Sequence, residues 1–86
     1  MKIKFFSDSS HGWAEVKLSE LERLGITQKI SRYSYAKGDI AYLEEDCDLP
    51  VYLDALRAAG EAFSFDEHHT NGDSRIRRFD SFKVAA

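Results

Sequence analysis

Ile40–Glu67 reads IAYLEEDCDLPVYLDALRAAGEAFSFDE. It opens with an alternation, Ile40 and Tyr42 against Ala41 and Leu43, which is the period of a strand. From Leu49 the period changes. Leu49, Tyr52, Leu53, Leu56 and Ala59 recur at i, i+3, i+4, i+7 and i+10, the apolar stripe of an α-helix. Asp48 or Leu49 is placed to cap that helix, Pro50 is tolerated in its first turn, and Gly60 ends it. Glu61–Glu67 alternates again, with Phe63 and Phe65 expected to face the core.

Lys2–Phe6 alternates charged and apolar residues, SDSSHG at Ser7–Gly12 supplies turn chemistry, and Trp13–Lys17 resumes the alternation, so a hairpin is expected at the start. Ser19 with Glu22 forms a capping-box pattern ahead of Leu21 and Leu24, and Gly25 stops a helix of one or two turns. A second hairpin joins Ser31–Ala36, with Tyr33 and Tyr35 on one face, to Ile40–Glu44 through a turn at Gly38. The resulting order is ββαββαβ. This is an α+β domain, a mainly antiparallel sheet of about five short strands with two helices on one face.

The chain has 86 residues with 43% hydrophobic and 13% aromatic content, enough for one folded domain spanning 1–86 but not for a large core. From about Thr70 the sequence turns polar and basic, yet Ile76, Phe79 and Phe82 mark this tail as an added edge strand or a wrap around the domain. Cys47 is the single cysteine. With no partner for a disulfide, no secretory-type apolar start before Ser7 and no apolar run near the ~18 residues that span a bilayer, a cytoplasmic protein without membrane association is expected.

Charge is distributed unevenly. Asp39, Glu44, Glu45, Asp46, Asp48 and Asp54 fall in a stretch without Lys or Arg, and such a one-sided block sets up a directional negative field that suits a basic partner. Carboxylates in a row can occupy sites built from Arg and Lys for nucleic acid, with Tyr42 as an aromatic anchor at the rim. The competing structural reading assigns Asp46 and Asp48 to the helix N-terminus and Glu44 and Glu45 to a strand end in water. Arg75, Arg77, Arg78 and Lys83 offer the opposite surface. They either contact phosphate, together with Trp13, Tyr33, Tyr35 and Tyr42 on an open sheet face, or fold back onto the acidic block as ion pairs.

No reaction is written in the residues. The five glycines fall in no phosphate-binding frame, Ser7, Ser9 and Ser10 before His11 make no triad, and adjacent His68 and His69 on a strand point to opposite faces. Cys47 lacks the paired spacing of a zinc site and is expected as a small, partly buried residue at a strand–helix junction. Neither a metal nor a cofactor is expected, and the chain is not expected to be an enzyme.

HGW at His11–Trp13, SRYSY at Ser31–Tyr35, YLEEDCD at Tyr42–Asp48 and HHTNGDSRIR at His68–Arg77 together resemble a group of small uncharacterised proteins encoded by bacteriophages and other mobile elements. The resemblance implies an accessory protein of a bacterial host cell that binds and inhibits a host protein complex. An anti-CRISPR or other anti-defence inhibitor acting as a DNA mimic is the form that matches the acidic block. A small nucleic-acid-binding module using the basic tail and the aromatic sheet face is the alternative. An exposed strand edge leaves monomer and homodimer equally open.

Overall fold

The computed structural model describes residues 1–84. The chain forms β1 (Lys2–Ser7), β2 (Gly12–Lys17), α1 (Leu18–Arg23), β3 (Tyr35–Lys37), β4 (Ile40–Glu44), α2 (Leu49–Ala58), β5 (Ser64–His69) and β6 (Asp80–Ser81), with short 3-10 turns at Thr27–Lys29 and Arg75–Arg78. The fold is α+β with a six-stranded sheet in the order β5-β1-β2-β4-β3-β6. One more strand is present than the sequence pattern predicts, because the tail contributes β6 against β3. Every pairing is antiparallel except β1 with β5, which run parallel from Lys2↔Ser64 to Ser7↔His69. Such a pairing needs a crossover, and α2 supplies it.

Both helices cover one face. Ile3, Ala14, Val16, Ala41 and Leu43 of the strands meet Leu21 of α1 and Leu49, Tyr52 and Leu56 of α2 in a single buried core. The alternation at Ile40–Leu43 and the stripe from Leu49 therefore meet as expected. Gly12 belongs to this face too, and the Phe5 ring lies so close that a Cβ there would sit 2.3 Å from Phe5 Cζ. Gly25 and Gly60 end the helices at φ +68° and +71°, conformations that cost a side-chain-bearing residue about 1 kcal/mol or more.

Three local expectations are corrected. The first helix starts at Leu18 with Lys17 as its N-cap, so Ser19 lies inside it, and Glu22 accepts from the Thr27 hydroxyl at 3.0 Å instead of closing a capping box. The strand expected over Ser31–Ala36 is shortened to Tyr35–Lys37. The Ser31 N–H and the Ser31 and Ser34 hydroxyls all donate to the Asp48 carboxylate, which holds residues 31–34 in a turn. The strand after α2 begins at Ser64 and lies at the sheet edge, leaving Phe63 packed on the core and Phe65 37% exposed.

The second face is not open. The tail crosses it with Ile76, which packs with Trp13 and Tyr42, while Phe6, Tyr35, Ile40 and Phe79 close the cluster around them. The chain then pairs β6 with β3 and drops Phe82 into the helix-covered core, its N–H donating to the Ser34 carbonyl at 2.8 Å. The tail thus does both things its sequence suggested: it wraps the domain and adds an edge strand. No helix among the described residues is long and apolar enough to cross a membrane.

Candidate functional site

Asp8, in the β1–β2 turn, fastens the tail. Its carboxylate accepts from the backbone N–H of Ser10 and His11 at 3.0 Å each, from Ser74 N–H at 2.9 Å, and from Arg77 Nε and Nη2 at 2.6 and 3.0 Å. The Arg77 guanidinium in turn lies 5.3 Å from the Trp13 ring centroid. Bidentate pairing and stacking are both properties of a planar guanidinium. Hydrogen bonding from Arg77 holds the Asp8 carboxyl well below the usual carboxylate range, against the opposing effect of burial and with help from the three backbone N–H groups.

A pH dependence follows from that shift. The folded carboxyl binds its proton less readily than the unfolded one, whose pKa is about 3.9, so the contribution of Asp8 is complete above that pH and is lost as pH falls below it. The stability difference between wild type and Asp8→Asn, measured by urea denaturation, should shrink as pH is lowered from 6 to below ~3.9. A difference that stays constant over that range would show that the ionised carboxylate is not what holds the tail.

The acidic block divides once it is folded. Asp48 is 2% exposed and spends its carboxylate on Ser31 and Ser34. Glu44 is 8% exposed, and its Oε2 accepts from the backbone N–H of Asp46 and Cys47 at 2.9 and 2.8 Å, which closes the β4–α2 connection. Tyr42 is buried, its hydroxyl donating to Glu15 at 3.2 Å, so it is not positioned at a surface rim. Asp54 is exposed and paired with Arg57 on α2. Asp39 is exposed at the β3–β4 turn, at the far end of β4 from Glu45 and Asp46. Glu45 and Asp46 remain as adjacent exposed carboxylates, and no ion pair among the described residues engages either.

Asp46 opens onto a cleft of about 340 Å³ on the tail-covered face, walled by Trp13, Tyr33, Tyr35, Glu44 and Arg77. Tyr33 is 62% exposed, whereas Trp13 beside it is only 2% exposed. Tyr35 meets the Trp13 ring edge-on at 6.2 Å between centroids. The Trp13 Nε1–H is buried and has no hydrogen-bond partner among the described residues. An unmet buried donor of this kind costs ~1–3 kcal/mol. Sequence alone had Trp13 and Tyr33 as stacking candidates; the cleft they form with Glu44 and Asp46 depends on the turn that Asp48 imposes.

His11 and Cys47 complete the cleft wall, with His11 Nδ1 3.8 Å from Glu44 Oε1. Cys47 is exposed and not partly buried as its junction position suggested. Hydrogen bonding to Glu44, then burial and the surrounding carboxylates, push its thiol pKa up, the opposite of what a nucleophile requires. His68 pairs with Asp66 at 3.1 Å and stacks on Phe6, and His69 meets Ser7 Oγ at 3.0 Å, so neither histidine is engaged with Cys47. Among the described residues no group of three His, Cys, Asp or Glu is placed to hold a metal ion.

No basic residue of the tail forms an ion pair with the acidic block among the described residues. Arg77 is committed to Asp8, with Asp73 at 3.9 Å, because the tail runs over the β1–β2 end of the sheet and meets that turn first. Arg75, Arg78 and Lys83 are exposed. Arg78 and Lys83 join Lys37 along a shallow groove of about 1010 Å³ at the β3–β6 edge, where the Lys37 ammonium lies 4.9 Å from the Phe79 ring centroid. Comparison of the chain with protein-family models, curated proteins and solved structures finds no match.

Proposed function

We propose that this chain is a small protein-binding domain that sets carboxylates and tyrosine against arginine and lysine residues of a nucleic-acid-binding host complex. It acts as an inhibitor of that complex, of the anti-defence kind implied by the resemblance to phage-encoded proteins. The observation that carries this reading is the pairing of an exposed aromatic with acid: Tyr33, 62% exposed, shares a cleft with Glu44 and Asp46, and no ion pair among the described residues engages Asp46. Tyrosine next to charged groups that lose water on association is the composition of a binding hot spot.

The test uses Glu45→Lys/Asp46→Lys, which leaves the buried Glu44 and Asp48 intact. Wild type should retain a nucleic-acid-binding complex from nuclease-treated host lysate, and purified partner should bind the double variant more weakly by about 2–5 kcal/mol. Equal binding by both proteins would refute the acidic surface as the contact.

A second reading is favoured by the Lys37, Arg78 and Lys83 groove, which with Phe79 has the cations and the ring of a single-strand phosphate track. It predicts that capture disappears on nuclease treatment and that Arg78→Ala/Lys83→Ala flattens the salt dependence of binding.

A further inference from the structure

We infer that the cleft between Tyr33 and Trp13 is the socket for one arginine side chain of the partner, with the guanidinium held by Asp46 and Glu44. This deepens the reading of the chain as a binder of a basic surface and rests on it. Charge selects the cation. Arg77 is the cleft's own arginine, but Asp8 neutralises it from behind through two hydrogen bonds, so the carboxylates of Asp46 and Glu44 are left over. Glu44 Oε2 takes both backbone N–H groups and the Cys47 thiol also bonds to this carboxylate, while Oε1 lies 3.8 Å from His11 Nδ1, too long for a hydrogen bond.

Shape and donors then favour arginine over lysine. A flat guanidinium can lie against the Tyr33 ring and offer paired N–H groups to a carboxylate, whereas an ammonium is a strongly hydrated point charge that does neither as well. The same aromatic wall already stacks one guanidinium, since Arg77 lies 5.3 Å from the Trp13 centroid. Phosphate-bearing ligands would face the carboxylates of Glu44 and Asp46 in the cleft wall.

Trp13 is the only tryptophan, so its indole N–H gives a single resonance in a proton–nitrogen correlation spectrum. The experiment titrates the full chain with N-acetyl-arginine amide, N-acetyl-lysine amide and guanosine monophosphate. Arginine amide should shift the Trp13 indole signal saturably at millimolar concentration and lysine amide more weakly. Asp46→Asn, an exposed and isosteric change, should weaken the arginine response by about tenfold or more. Tyr33→Ala should weaken it too while leaving the rest of the spectrum in place. No saturable shift, equal responses to arginine and lysine amides, indifference to Asp46→Asn, or a response to guanosine monophosphate in place of arginine would each overturn the socket. Failure here with partner capture still sensitive to Glu45→Lys/Asp46→Lys removes the socket alone; an arginine response without any captured complex removes the inhibitor reading and keeps the socket.

Discussion

Trp13→Ala should cost about 3–5 kcal/mol of folding stability, the range for emptying a buried tryptophan site. Set against the ~5–15 kcal/mol that holds a typical domain, this is the largest single-residue effect we expect in the molecule. Trp13 is the centre of the second core. It sits opposite Phe6 and Glu44 in the sheet, packs with Tyr42 and Ile76, and carries the Arg77 guanidinium and the Tyr35 edge. The helix-covered core does not use it, so the loss should fall first on the tail. Urea denaturation followed by circular dichroism gives the stability change, and amide exchange at Ile76–Phe79 should rise beyond the global effect. Trp13→Phe should cost much less, because it keeps a ring and removes an N–H that has no partner. A cost for Trp13→Ala below about 1 kcal/mol would mean that the tail-covered cluster is not a core.

Asp48→Ala should lower stability by about 2–4 kcal/mol, because it strands buried donors rather than a surface charge. The carboxylate accepts from Ser31 N–H at 3.0 Å, from the Ser31 hydroxyl at 2.7 Å and from the Ser34 hydroxyl, and Ser34 Oγ accepts from Glu44 N–H at 2.9 Å. Ser34 is fully buried, so water does not replace the lost partner. The carboxylate also stands at the N-terminus of α2, where negative charge is favoured. Asp48→Asn should recover only part of the loss. Its amide nitrogen is a donor facing donors, and the Ser34 hydroxyl is already required as an acceptor for Glu44 N–H. Equilibrium denaturation of the two variants tests this, and a change within about 0.5 kcal/mol for Asp48→Ala would show that the relay is not stabilising. Because the relay shapes the turn that presents Tyr33, the same variant should also weaken the arginine response of the Trp13 indole.

Both predictions concern residues whose elements were legible and whose partners were not. Trp13 was readable as a strand residue and Asp48 as the residue ahead of a helix. Nothing within a few positions of Asp48 announces Ser31 and Ser34, which lie 17 and 14 residues away. Its expected local role, a side-chain cap on α2, goes unused, and no such bond is formed. The parallel pairing of β5 with β1 is equally invisible to periodicity, since it joins Lys2 to Ser64 across most of the chain. The acidic block shows the same limit at the level of function. As a string it is one feature, but burial separates Glu44 and Asp48 from Glu45 and Asp46, and the i to i+1 spacing of these residues carries no sign of it.

The sequence by itself determined the central elements and their punctuation: the 2.0 and 3.6 periods around Leu43 and Leu49, the stops at Gly25 and Gly60, and the helix-covered face that those periods require. These depend on interactions within a turn or between adjacent side chains, which a linear string records. Only the tertiary structure decided that the tail covers the second face, that Asp8 and not the acidic block receives Arg77, and that Tyr33 opens a cleft with Asp46. The physical reason is that desolvation and pairing of charge depend on which distant segment arrives beside a group, and a carboxylate reads the same in sequence whether it ends in water, under a serine hydroxyl or against a guanidinium.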